Sequence, residues 1–182
     1  AVCEPINLAS TSLPLLTYDL QQKFGKGLST LQLETIRRIF QSFALCHGFL
    51  LGDATGVGKG RTIAGVLCEC KARDSNFRAM WVSANGRLKV DAEREISELR
   101  DLKELQDNVI FASYTSLLQT KRIAAAQEFF SNTENKENEP HEKKPCEKYI
   151  ILDECHNLRN NSVTSKVIEN FLSSIPDINV LY

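Results

Sequence analysis

The chain has 182 residues, of which 42% are hydrophobic and 25% charged. That balance belongs to a globular domain with room for a core and excludes a disordered or fibrous chain. A net charge of −1 gives no global attraction for nucleic acid, so any such contact must come from a local patch. No apolar run approaches the roughly 18 residues of a membrane span, and no charged-then-apolar signal pattern opens the chain, so no membrane partner is expected.

Residues 1–28, with Pro5, Pro14, Gly25, Gly27 and little periodicity, read as a lead-in. From Ser29 the spacing of Leu31, Leu33, Ile36, Ile39, Phe40 and Phe43 predicts a helix with one apolar stripe. A strand is predicted at about 48–52, then a glycine-rich turn and a helix through Val66-Leu67-Cys68. Ala79–Ser83 and Val109–Ser113 read as buried strands with a helical pattern over 87–100 between them. A short helix and a helix at 121–130 follow. Strand Tyr149–Asp153, a helix at 163–173 and strand Ile178–Leu181 complete the run.

Helices that alternate with almost continuously apolar strands predict a parallel sheet covered on both faces, a doubly wound α/β fold. Residues 131–148 hold no bulky apolar side chain, so they are expected to form a mobile surface insertion. The cysteines, at 3, 46, 68, 70, 146 and 155, form no C-x-x-C pair and no zinc-type spacing. They fit a reduced, intracellular protein.

The chemistry concentrates in two places. After the apolar run Phe49-Leu50-Leu51 stands Gly52-Asp53-Ala54-Thr55-Gly56-Val57-Gly58-Lys59-Gly60-Arg61-Thr62. Glycines that let backbone N–H groups converge, followed by a helix N-terminus and a lysine, make a cradle for nucleotide phosphates, with Lys59 on the β- and γ-phosphates. The match to the phosphate-loop pattern is incomplete: Asp53 replaces the first glycine, and Gly60 replaces the hydroxyl residue that ordinarily ligates Mg²⁺. Thr62 lies too far along to be assumed its replacement. The second place is Asp153-Glu154-Cys155-His156, two carboxylates at the end of an apolar strand. Asp153 is expected to hold Mg²⁺ beside ATP, and Glu154 to orient the attacking water or take its proton. Lys59 and Asp153 both fall at carboxyl ends of strands, where ligands of such sheets sit. Gln32 has two readings, as the last member of an S-x-x-Q capping box from Ser29 and as an adenine-reading amide.

The stretches Leu28–Glu34, Gly48–Asp53, Gly56–Gly65, Trp81–Asn85 with Asp91–Arg94, Phe111–Tyr114 and Asp153–His156 together resemble the strawberry notch family of superfamily 2 helicase-like ATPases. The resemblance spans about residues 28–182, and its Gly-Val-Gly-Lys-Gly-Arg-Thr form is distinctive, since most relatives of this architecture keep a hydroxyl after the lysine. It implies a RecA-like P-loop lobe over 29–182, with Gln32 reading adenine, Asp53 to Thr62 forming the phosphate loop, and Asp153 and Glu154 as the metal and water-activating acids. It further implies that Ser83, Asn85, Ser113 and Thr115 touch a nucleic-acid backbone, a sequence-independent kind of contact.

Family members continue past the point matching Tyr182 into a second RecA-like lobe, which would supply an arginine to the transferred phosphoryl group. The expected activity is therefore that of a helicase-like ATPase in its parent protein, acting on DNA, RNA or chromatin, with these residues alone close to inactive. The alternative is a non-catalytic regulator that binds transcription or chromatin factors. In a eukaryote the expected location is the nucleus, otherwise the cytoplasm.

Overall fold

The computed structural model describes residues 13–18, 27–52, 58–84, 87–131, 146–158 and 162–182. Helix α1 spans Thr30–Ala44 and α2 spans Lys59–Arg73. Strand β1 (Arg78–Ser83) leads through α3 (Leu88–Ser97) to β2 (Val109–Ser113). Then come α4 (Thr120–Ser131), β3 (Lys148–Leu152), α5 (Val163–Ser173) and β4 (Ile178–Leu181). The four strands pair in parallel in the order β2-β1-β3-β4.

The strands are apolar over most of their length because both faces are covered. Successive side chains point to opposite faces, so Ala79, Trp81, Tyr149 and Ile151 enter one core while Met80, Val82, Ile150 and Leu152 enter the other. The first core is filled by α1, α2 and α3 through Ile36, Ile39, Ile63, Leu67 and Ile96. The second takes Phe130 from α4 and Ile168 and Phe171 from α5. This is the doubly wound α/β arrangement of a RecA-like P-loop lobe, as the alternation of apolar strands and helices implies.

Several boundaries differ from the sequence pattern for visible reasons. The strand expected at 48–52 is reduced to one parallel bridge, Phe49 to Leu181. Hydrogen bonds still run from Phe49 N to Val180 O (3.0 Å), Tyr182 N to Phe49 O (2.8 Å) and Leu51 N to Tyr182 O (2.7 Å). A Cβ at Gly48 would lie 3.1 Å from the Tyr182 ring and 3.2 Å from Val180 O, so a glycine is what permits this close approach. Leu31, counted in the apolar stripe of α1, is 63% exposed, because it shares the outer face with Thr35 and Arg38. Strand β3 stops at Leu152, since Glu154 adopts a left-handed backbone (φ 57°, ψ 38°). The ends of the expected 131–148 insertion are structural: Ser131 closes α4 and Lys148 opens β3, opposite Arg78 and Ile178. The interior of that insertion and most of the lead-in lie outside the described residues.

One part of the lead-in is docked. Glu69, fully buried in α2, accepts backbone N–H bonds from Thr17 (2.8 and 3.0 Å) and Tyr18 (2.8 Å) and pairs with Arg73 Nε at 2.6 Å. Tyr18 extends the contact, donating its hydroxyl to Leu99 O at 3.0 Å beneath the Arg100 guanidinium. A buried carboxylate is tolerated here because its lone pairs are filled.

Candidate active site

Three pieces of backbone set the site. Gly58 caps the start of α2 in a left-handed conformation (φ 82°), which turns the helix N-terminus and Lys59 toward the carboxyl ends of the strands. A Cβ at this position would stand 2.8 Å from Gln32 Nε2, so any larger residue would displace that side chain as well as strain the backbone. Gly58 has no side chain to cap the first N–H groups of α2, which carry the partial positive charge of the helix end. Asp153 continues the ladder, donating its N–H to Val82 O at 2.8 Å, before the backbone turns sharply at Glu154.

These pieces enclose a pocket of about 190 Å³ lined by Leu51, Gly52, Lys59, Ile63, Asp153, Glu154, Cys155, His156 and Tyr182. Lys59 and the acid pair, almost a hundred residues apart in sequence, thus face one cavity. Burial raises the Asp153 carboxyl above its ordinary pKa, and the neighbouring Glu154 charge adds to the rise. The Ser83 hydroxyl and the Lys59 ammonium pull it partly back. A carboxylate held at such a disadvantage is one that a cation would relieve. His156, exposed, places Nδ1 3.2 Å from Glu154 Oε2. Tyr114 donates its hydroxyl to Asp153 O at 2.9 Å.

The remaining predicted site residues are distributed as follows. Gln32 completes both halves of the capping box: Ser29 N donates to its Oε1 at 2.9 Å and its own N–H donates to Ser29 Oγ at 3.2 Å. Its side-chain nitrogen donates to Gly58 O at 3.3 Å. Arg61 turns from the pocket to α3, pairing with Glu98 at 2.7 Å, and Gly60 faces the Glu95 side chain. Thr62 is fully buried and its hydroxyl bonds back to Gly58 O at 3.4 Å. Ser83 is 2% exposed and its hydroxyl serves Asp153, so it supports the acid and is not a free surface contact. Ser113 and Thr115 share a hydroxyl–hydroxyl contact of 3.1 Å at the end of β2, with Thr115 exposed. Asp53, Ala54, Thr55, Gly56, Val57 and Asn85 lie outside the described residues.

The described donors suit a magnesium–triphosphate: a lysine at a helix N-terminus facing a carboxylate pair. Among the described residues no cluster of three or more His, Cys, Asp and Glu forms a separate metal site. No side-chain hydroxyl in the described start of α2 is directed into the pocket, because Gly60 has none and Thr62 spends its own on the helix.

A sequence profile for proteins described as P-loop containing NTP hydrolase pore-1 matches residues 1–175. The chain belongs to that family. It is related to the strawberry notch proteins: it is 30% identical over 205 residues to mouse strawberry notch homolog 2, covering all of this chain and 15% of that protein. Against Drosophila melanogaster strawberry notch it is 43% identical over 96 residues, 48% of this chain and 5% of the relative. The family lobe therefore spans about 15% of the length of relatives such as the mouse protein. In fold it is similar to a solved Sulfolobus solfataricus SWI2/SNF2 ATPase core in complex with dsDNA, with a TM-score of 0.60 at 18% identity over 90% of this chain and 34% of that one. The chain is thus a RecA-like lobe of a P-loop NTP hydrolase family, related to the strawberry notch proteins.

Sequence reasoning missed Tyr114 and the pairing of Ser83 with Asp153. The signal available was the run Ser113-Tyr114-Thr115, a large phenol between two small hydroxyls at a strand end.

Proposed function

We propose that this lobe binds ATP with Mg²⁺ and, joined to a second RecA-like lobe in the full-length protein, hydrolyses it in step with work on nucleic acid or chromatin. The observation that carries the reading is the shared pocket: Lys59, the N-terminus of α2 and the Asp153–Glu154 pair converge at the carboxyl ends of parallel strands. Lys59 holds the terminal phosphates, and Asp153 is the carboxylate for the metal, whose role is to neutralise charge on the phosphates. Glu154 orients water and takes its proton. Gln32, at the mouth of the loop, reads adenine by exchanging one of its present hydrogen bonds. Ser113 and Thr115 offer hydroxyls to a sugar–phosphate backbone, a reading supported by the similar fold of an ATPase core solved in complex with dsDNA. Second-lobe residues complete the reaction, so the lobe alone turns over near background.

One observation favours a non-catalytic regulator: Gly60 lacks the hydroxyl and Thr62 does not supply one. ATPase turnover of the full-length protein with and without DNA or RNA separates the two. Lys59→Ala is expected to weaken nucleotide binding about 10- to 100-fold, the effect of a lost charge-assisted contact. Glu154→Gln is expected to leave binding intact and slow turnover by about 10²- to 10⁴-fold. Absent stimulation together with two silent substitutions would hand the case to the regulator.

A further inference from the structure

We infer that Tyr114 is a positioning residue that couples the end of β2 to the acid turn, so that contact at Ser113 and Thr115 sets the aim of Glu154. The inference rests on the functional reading above and extends it to how the two faces communicate.

Tyr114 is fixed at both ends. Its backbone N–H donates to Ser83 O at 3.1 Å, prolonging the β1–β2 ladder by one step. Its side chain is 5% exposed and lies in the core that holds Val82, Leu117 and Leu152. From there the hydroxyl crosses 39 residues of sequence to the carbonyl of Asp153 at 2.9 Å. That carbonyl belongs to the peptide joining Asp153 to Glu154, where the chain passes into a left-handed conformation. A non-glycine residue adopts such a backbone only when its surroundings hold it there. The phenol is one of the hydrogen bonds that fix Asp153 just before this turn, beside Asp153 N to Val82 O and the Ser83 hydroxyl. Burial pushes the Tyr114 pKa up, so the hydroxyl keeps its proton and donates at any working pH.

The neighbours of Tyr114 are the exposed side of the device. Ser113 Oγ and Thr115 Oγ1 hold each other at 3.1 Å, and Ser113 Oγ also accepts from Ser116 N at 3.1 Å. A phosphate oxygen that takes these hydroxyls rearranges the residues covalently attached on either side of Tyr114. Packed side chains transmit such a shift with little slack. It therefore arrives at the Asp153–Glu154 peptide through one hydrogen bond, without passing through the nucleotide.

Tyr114→Phe in the full-length protein deletes the hydroxyl and keeps the ring. ATP affinity and KM are expected to match wild type. The stimulation ratio, turnover at saturating DNA or RNA over basal turnover, is expected to fall by about fivefold or more, the lower end of ordinary couplings. Amide hydrogen exchange at Glu154 and Cys155 is expected to speed up in the same variant. A purely structural role would lower Tm and reduce basal and stimulated rates together, leaving the ratio unchanged, and that result overturns the proposal. So does wild-type exchange at Glu154 with an unaltered ratio. If the wild-type protein itself shows no stimulation, the functional reading falls first, which the Lys59→Ala and Glu154→Gln controls identify separately.

Discussion

Gln32 and Gly58 meet where the first turn of α1 touches the cap of α2: the side-chain nitrogen of Gln32 donates to the Gly58 carbonyl at 3.3 Å. The same nitrogen would be 2.8 Å from any Cβ at position 58, where φ is 82°. Gly58→Ala is therefore expected to destabilise the protein by about 1–2 kcal/mol from backbone strain alone. Urea denaturation measures this, and nucleotide binding should weaken with it, because the displaced loop carries Lys59.

Two residues further on the sign reverses. Among the described residues a Cβ at Gly60 would meet only Glu95 Cγ, at an ordinary contact distance of 3.6 Å. Gly60 lies in the first turn of α2, so Gly60→Ala is expected to stabilise by about 0.5–1 kcal/mol through reduced freedom of the unfolded chain. Opposite shifts in the urea midpoint for the two alanines would support the geometry; equal shifts would contradict it.

Asp153 makes stability depend on pH in an unusual direction. Its carboxyl pKa is raised in the folded protein, by burial first and by Glu154 second. The folded state therefore binds that proton more tightly than the unfolded state. The resulting contribution is fully present below the unfolded pKa and lost as pH rises through the folded one. Without nucleotide and metal, Asp153→Asn is expected to raise Tm at pH 7, on the order of 2 °C for a domain of this length. The advantage should shrink as pH falls toward the acid range. Thermal melts of both proteins across pH check this, and a gain that grows on acidification would refute it.

Glu69 ties the docked lead-in to α2. Glu69→Ala leaves Arg73 and the N–H groups of Thr17 and Tyr18 without their carboxylate. A loss of about 2–3 kcal/mol is expected. Limited proteolysis should then cut near residues 13–18 earlier than in wild type.

The strands were legible because each is almost continuously apolar, and the start of α1 because Ser29 and Gln32 spell out a cap that the fold uses. The convergence of Lys59 with Asp153 was legible from the rule that ligands of parallel sheets sit at strand ends. Other features have no sequence signature. The Glu69 clamp receives backbone amides, which every residue but proline carries, so no side chain announces it. The Phe49 segment has strand composition, yet a short neighbour and a tight Gly48 limit it to a single bridge. Arg61 and Thr62 sit in the motif but face α3 and the helix interior, a matter of helical phase that a motif string does not encode.

Strand β4 separates the Phe49 segment, which leads to Lys59, from β3, which ends at Asp153. Adjacent strands stand roughly 4.8 Å apart, so this four-residue strand doubles the gap to about 10 Å. Were the two segments direct neighbours, the opening between their carboxyl ends would be about half as wide. The short spacer thereby sets the width of the mouth that Lys59 and Asp153 both line.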